Sequence, residues 1–415
     1  MSSRTATQSS GGALAGLRVI DLSRVLAGPL AAQILGDLGA EVVKIERKGS
    51  GDPSRAMGAV IARDAAGAPA QSTFFQACNR NKKSLAIDFS SAQGQELVRK
   101  LAAEADILIE NYLPGTLEQY GLDYRTLAAA NPRLIYCSVT GYGQDGPRRS
   151  QPGFDPVFQA ETGIMSITGE TDGRPLKSGI YAVDEMGAYN AAIGILAALA
   201  ERNRSGLGQH LDIGLFDCGI AALSTVGQNY LHTSVNPGRY GNAGLSGGPS
   251  DTFACEDGLV LLMGGIGNQF ASICAILGVP ELATDPRFTT SAGRYDHRVE
   301  LYGLLQAKIS GWKREDLLTK LAAASVPSGP VNTVAQAMAD KQAIARGLIV
   351  EVNEPGAGAT RLIANPIRLS RNPPTYDRPP PSLGDGQDEV LQDWLGLSQD
   401  DIAALESAHV LGDAV

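Results

Sequence analysis

Histidine and cysteine are scarce in this 415-residue chain, and aromatic residues make up only 6% of it. The five cysteines, Cys78, Cys137, Cys218, Cys255 and Cys274, are odd in number and widely spaced, with no CxxC and no histidine pair beside them. That spacing argues against a disulfide framework and a zinc site, and for a reducing, cytoplasmic compartment. His210, His232, His297 and His409 are equally isolated. Long apolar runs are missing too, so no membrane span is expected. The nearest candidate, Met186 to Ala200, is short and interrupted by Asn190 and two glycines, and reads as a buried helix. Positive charge is in deficit, at a net −9. A nucleic-acid partner needs a basic face to displace counterions, so none is expected. An anionic ligand must therefore find positive charge locally. The first dozen residues, MSSRTATQSSGG, lack the apolar core of a secretory signal and read as a flexible tail, with a mitochondrial transit peptide as the weaker alternative.

What is present is glycine (49 residues), 43% hydrophobic residues and enough length for more than one core. From Leu17 to about Ser138, short β-branched runs (LRVID, EVVKIE, KSLAID, ADILIE, RLIYCSV) alternate with amphipathic stretches. The pattern predicts an α/β fold with a doubly wound, largely parallel sheet. Between Gln159 and Tyr230 it predicts mostly helix. The glycine-rich GRYGNAGLSGGPSD then marks a boundary. Beyond it, DTFACEDGLVLLMG predicts a hairpin turning near Asp257 and Gly258, followed by helices through Ile273, Leu301 and Leu318. The expected organisation is a tail (1–12), a large domain (13–230), a small α+β domain (245–330) and a C-terminal return (342–415). That return contains RNPPTYDRPPPS as an extended linker and a short helix around Leu391.

Three motif matches carry little. Gly141–Gly146 (GYGQDG) satisfies GxGxxG after a predicted strand, but PRRSQPG follows where a dinucleotide fingerprint needs a helix. Gly244–Gly248 (GLSGG) satisfies GxSxG without the strand and helix of a nucleophile elbow, so Ser246 reads as a linker serine. SGPVN, near Ser328, is too short to interpret alone.

Asp184 stands differently, in YAVDEMGAYNAAIGILAAL, just before a long helix that is apolar around most of its circumference and is expected to be buried. It can serve as an N-cap, and a helix N-terminus also keeps a carboxylate ionised and directed, as a carboxylate nucleophile requires. Near the start, Ala27, Gly28 and Pro29 form a turn into a helix that can offer backbone N–H groups to an anion. Arg47 ends a predicted parallel strand, the edge at which open α/β sheets bind ligands. NRNKKS (79–84) adds a second basic cluster. Solvated charge at strand ends is the plain alternative for both.

With these segments in hand, the chain resembles the class III CoA-transferases, the family of formyl-CoA transferase and carnitine CoA-transferase. The markers are LAGLRVIDLSRVLAGPLAAQILGDLGAEVVKIE, NRNKKSLAID, ADILIENYLPGTLEQYGLDY, RLIYCSVTGYGQDGP and the Asp184 helix ending in RSGLGQHLDIGLFD. The resemblance implies a Rossmann-like large domain with a small middle domain, and two chains interlocked as rings in a homodimer. It implies an acyl-CoA thioester and a small carboxylic acid as substrates, with no permanently bound metal or redox cofactor. By position, Asp184 matches the covalent nucleophile, which passes through an aspartyl mixed anhydride and an aspartyl-CoA thioester. Arg47, Ile87 and Asn111 resemble CoA contacts, Arg47 by charge and Ile87 against the adenine. Arg24, Val25, Leu26 and Ala27 match the loop beside the thioester. Formyl-CoA transferase has glutamine in place of Leu26, which argues against formyl-CoA and oxalate as the natural pair. Gln119 and Ser90 stand where the best-known member has an arginine and a lysine, so Arg80, Lys82 or Lys83 would have to supply the missing charge.

Two other functions fit parts of the pattern. The α-methylacyl-CoA racemases share the fold, but need a histidine acid–base where this chain has Phe154, with Asp155 retained. A silent CoA-binding protein would keep Arg47 and the Ala27 loop and have no use for Asp184. Asp155 is read as orienting the site or capping the helix that begins near Pro156. For substrates, the expectation is succinyl-CoA with a dicarboxylate acceptor whose distal carboxylate pairs with Arg24. The alternative is that Arg24 binds a CoA phosphate or the protein's own carboxylates. The segment 244–250 is read as a glycine-rich lid.

Overall fold

The computed structural model describes residues 11–63, 67, 69–243, 248–354 and 358–412. Of the expected lid, residues 244–247 with Ser246 lie outside the described residues, as does the tail through residue 10, and Ser250 at its far end begins a strand, its N–H donating to Tyr302 Oη (3.0 Å). Contacts divide the chain into two units. One comprises Met1–Gly163, Gly179–Gln228 and Ala345–Val415, and the other Ile164–Ser178 and Asn229–Ile344.

The larger unit is an α/β structure on one parallel sheet. Its strands are β1 (Arg18–Asp21), β2 (Glu41–Arg47), β3 (Lys82–Ile87), β4 (Ile107–Glu110), β5 (Ile135–Thr140) and β6 (His210–Gly214). They lie in the order β3-β2-β1-β4-β5-β6, that of a doubly wound sheet whose direction of growth reverses between β1 and β4. Strands β3, β4 and β5 are buried along their whole length, as a parallel sheet covered on both faces demands. One face packs Ile20, Val43, Leu85 and Leu108 against Val98 and Leu101 of helix Ala92–Ala103 and against Leu391, Trp394 and Ile402 near the C-terminus. The other face meets helix α1 (Ala27–Asp37) and helix α2 (Ala182–Ser205), which also pack on each other. Gly187 on α2 leaves room for the Leu215 side chain, since a Cβ there would lie 2.4 Å from Leu215 Cδ2, and it faces Ala27, whose Cβ such an atom would meet at an ordinary 3.8 Å. Not all of α2 is buried: Tyr189, Ile193 (63% exposed) and Leu196 line an open stripe at i, i+4 and i+7.

The proline-rich 371–382 stretch is extended but pinned to this unit. Thr375 N–H donates to the Asp37 carbonyl (2.9 Å), and Arg55 and Gln71 side chains donate to the Pro381 carbonyl (3.1 and 3.0 Å). Strand β6 was not expected from its sequence; HLDIG is short, polar and half-exposed at the sheet edge.

In the smaller unit Ser250–Cys255 and Gly258–Met263 pair antiparallel, with Cys255 opposite Gly258, so the turn is Glu256–Asp257. The SGP of SGPVN, Ser328–Pro330, adds a third strand. Helices Gln269–Ile276, Arg298–Ile309 and Arg314–Ala323 complete its core.

Candidate active site

The reversal of strand order creates a crevice at the C-terminal ends of β1 and β4, where ligands of doubly wound sheets bind. A cleft of about 810 Å³ opens there and runs along the ends of β2 and β3 to the sheet edge. Arg24, Arg47 and Ile87 all line it. Parallel register sets Arg47 directly beside Ile87. Arg24 is exposed, with its guanidinium 4.3 Å from the Tyr112 ring centre and no salt-bridge partner among the described residues. Ile87 is only 1% exposed and belongs mainly to the core, so it presents little more than an edge to a ligand. Asn111 holds the loop instead: it accepts from Arg24 N–H (2.9 Å) and donates to the Arg24 carbonyl (2.7 Å).

The loop from Ser23 to Leu26 rests on buried charge. Strand register places Asp21 beside Lys44. Lys44 pairs with Asp52 (2.9 Å) and lies 3.6 Å from Asp21, while donating to the Ser23 carbonyl (2.9 Å). Lys82 closes the group on Asp21 at 2.7 Å. Asp52 in turn accepts from Val25 N–H at 3.2 Å, and Cys78 Sγ donates to the Val25 carbonyl at 3.4 Å. These bonds hold Val25 at φ 70°, a left-handed conformation that costs a β-branched residue about 1–3 kcal/mol. Gly28 is required at the loop's end, because a Cβ there would come within 2.3 Å of Ser23 Oγ. Leu26 and Ala27 are buried as the N-cap and first residue of α1, so Ala27–Pro29, expected as a turn, are already helix. Ahead of α1, the N–H groups of Arg24 and Val25 are occupied by Asn111 and Asp52.

Arg80, Lys82 and Lys83 do not supply charge to the cleft. Arg80 grips Asp37 at 2.7 and 2.8 Å, Lys82 is held by Asp21, and Lys83 pairs with Glu41 (2.6 Å) and Glu389 (2.9 Å). All three are buried, and between them Asn81 ties the turn to the C-terminal strap by donating to the Thr375 carbonyl (2.8 Å).

Asp184 is in the first turn of α2, which begins at Ala182 after Tyr181, so it is not the N-cap. The acceptor for that turn is Asp155, whose Oδ2 takes Val183 N–H (2.7 Å) and Asp184 N–H (3.2 Å) while Oδ1 takes Gln159 Nε2 (2.5 Å). Asp155 thus caps α2 and not its own helix Asp155–Glu161, which has no side-chain cap. Burial, then Asp155, then Glu185 push the Asp184 carboxyl up to about 7, so the first turn does not keep it fully ionised at neutral pH. The packing of α1 on α2 brings the start of α1 toward the first turns of α2, with Gly187 against Ala27. A T-shaped contact of Phe74 with Tyr181 (5.6 Å) joins that turn to helix Thr73–Cys78, whose Cys78 holds Val25. Phe154, where a racemase would need its histidine, is 69% exposed and has no proton to exchange.

Sequence reading missed Lys44, Asp52 and a further cleft residue, His409, and took Lys48 only as part of the charged end of β2. A lysine inside the apolar run EVVKIE was the available signal for the first. Among the described residues no group of three or more His, Cys, Asp or Glu could hold a metal ion, and no helix is long and apolar enough to cross a membrane.

Comparison with known proteins agrees in one direction. The family model described as CoA-transferase family III matches residues 14–388. The chain is 40% identical over 378 residues to the succinate–glutarate CoA-transferase of Agrobacterium fabrum, covering 91% of this chain and 94% of that one. It is 37% identical over 396 residues to the succinyl-CoA–D-citramalate CoA-transferase of Chloroflexus aurantiacus, covering 95% and 97%. The crystal structure of a CAIB/BAIF family protein from Brucella suis, 41% identical, superposes with a TM-score of 0.84 over 92% of this chain and 100% of that one.

Proposed function

This chain belongs to CoA-transferase family III, and from that premise we propose that it moves coenzyme A from succinyl-CoA to a dicarboxylic acid, with Asp184 as the covalent carrier. The observation that carries the reading is the setting of Asp184. Its backbone is fixed by Asp155, its carboxyl is raised to about 7, and it faces no cation among the described residues. A carboxylate of that basicity is a better nucleophile than an ordinary one.

The exchange balances without water. The Asp184 carboxylate attacks the thioester carbonyl, the C–S bond breaks, and CoA thiolate leaves an aspartyl mixed anhydride. The thiolate attacks the aspartyl carbonyl and releases succinate, which leaves Asp184 as a CoA thioester. The acceptor carboxylate attacks that thioester and expels the thiolate, giving a new anhydride. The thiolate then takes the acceptor's acyl group and frees Asp184. Arg47 and the edge of Ile87 would hold the nucleotide, and Val25, Leu26 and Ala27 would flank the thioester. The free guanidinium of Arg24 suits the second carboxylate of a dicarboxylic substrate; the relatives named above are named for glutarate and citramalate, both dicarboxylic acids. An interlocked homodimer belongs to the same proposal, and the open apolar stripe on α2 supports it.

Incubation with succinyl-CoA and isotopically labelled succinate tests this, with Asp184→Ala as control. Label should enter succinyl-CoA with the wild type alone. Entry with both proteins would remove Asp184 from its role, and no entry with the wild type would remove succinate as the donor acid.

A further inference from the structure

With Arg80, Lys82 and Lys83 committed to internal ion pairs, the cleft must draw its positive charge from elsewhere. Of the cations that line it, Lys44 is paired with Asp52, and Arg24 lies at the crevice end against Tyr112. At the opposite end, by the edge strand β3, stand Arg47, Lys48 and His409. We propose that Lys48 and His409 form, with Arg47, a subsite for the 3′-phosphate of coenzyme A, an inference that rests on the CoA-transferase reading.

The C-terminal segment is built to hold His409 there. Helix Gln399–Ser407 ends in a turn in which His409 N–H donates to the Glu406 carbonyl (2.8 Å) and His409 takes a left-handed φ of 58°. Its carbonyl accepts from Lys48 Nζ at 3.0 Å, joining residues 361 apart in sequence. The next residues lock onto β3: the Val410 carbonyl accepts from Asp88 N–H (2.9 Å), Leu411 bridges Ile87, and Gly412 N–H donates to the Ala86 carbonyl (2.8 Å). Of the acidic residues lining the cleft, Glu46 is paired with Arg55 and Asp52 with Lys44, and Asp88 is engaged by Ser90, which donates through N–H (3.0 Å) and Oγ (2.5 Å). A terminal phosphate carries about two negative charges and accepts several charge-assisted hydrogen bonds, so a group of two permanent cations and an imidazole matches it. Position assigns it to the 3′-phosphate. The thioester loop follows β1, two strands inward, while the ribose phosphate is at the end of coenzyme A remote from its sulfur.

Titration calorimetry of the full chain with coenzyme A and with 3′-dephospho-coenzyme A tests the subsite without requiring turnover. His409→Gly keeps the left-handed backbone and removes the ring, and Lys48→Ala removes the ammonium group. The wild type should prefer coenzyme A. Each variant should bind coenzyme A about tenfold more weakly while binding the dephospho form unchanged. Equal weakening of both ligands, or of neither, overturns the subsite and leaves the transferase reading standing if label exchange persists. A wild type that binds neither ligand overturns both.

Discussion

Two groups of carboxylates in the larger unit, one buried and one partly buried, are built on opposite electrostatic terms. Beneath the Ser23–Leu26 loop, burial alone would raise the carboxyls of Asp21, Glu46 and Asp52. Lys44 and Lys82 reverse this for Asp21, Arg55 and Lys44 for Glu46, and Lys44 for Asp52, so all three lie below the usual carboxylate range. At the start of α2, Asp155, Asp184 and Glu185 meet no cation among the described residues, and burial and mutual repulsion act unopposed on Asp184. The first arrangement fixes a backbone. The second holds one carboxyl more basic than an ordinary carboxylate, at a cost to stability, which is the setting the proposed nucleophile requires.

Removing a cation from the first group should give the largest effect. Lys44→Met leaves Asp52 without its partner and Asp21 with only Lys82. The expected loss is about 3–5 kcal/mol, measured by urea denaturation. A variant as stable as the wild type would mean that the ions are not what braces the loop.

The comparison also explains how much could be read from sequence. The strand runs around Ile20, Val43, Leu85, Ile109 and Cys137 were legible because strands buried on both faces need continuous apolar residues. Strand β6 was not, because an edge strand such as HLDIG tolerates polarity. Within the site, Asp184 stood out through its place before an apolar helix, and Arg47 through its place at a strand end. That Asp155 caps the Asp184 helix could not be read, since the bond joins residues 29 apart and a cap on the adjoining helix was the local alternative. NRNKKS reads as a basic cluster able to supply charge to a ligand because local charge says nothing of Asp21, Asp37 or Glu41, which reach it only through sheet register and helix packing. His409 lay beyond sequence reading for the same reason, at greater distance.

A middle-sized effect separates cap from charge in the second group. Asp155→Ala removes the acceptor for Val183 and Asp184 N–H and should cost about 1–3 kcal/mol. Asp155→Asn keeps an oxygen acceptor and should cost less. Both remove a negative charge that raises the Asp184 carboxyl, so both should move the acidic limb of the pH–rate profile of label exchange to lower pH. An unmoved limb in both variants would reduce Asp155 to a structural cap.

The smallest effect has the opposite sign from ordinary site damage. The folded-state value of about 7 for Asp184 lies above its usual 3.8, so the native chain binds a proton that the unfolded chain has already released. Linkage then requires that this carboxyl be harmless to stability below about pH 4 and increasingly costly up to about pH 7. Asp184→Asn removes the cost and keeps the shape. In a fully sheltered site that cost would be about 4 kcal/mol. Asp184 is partly open to solvent in the single chain, so screening reduces the expected gain to about 1–2 kcal/mol. Thermal melts of the two proteins should therefore coincide near pH 4 and separate toward pH 8, with Asp184→Asn the more stable. Equal melting at pH 8 would mean that Asp184 is as well compensated as Asp21, and the contrast between the two carboxylate groups would fail.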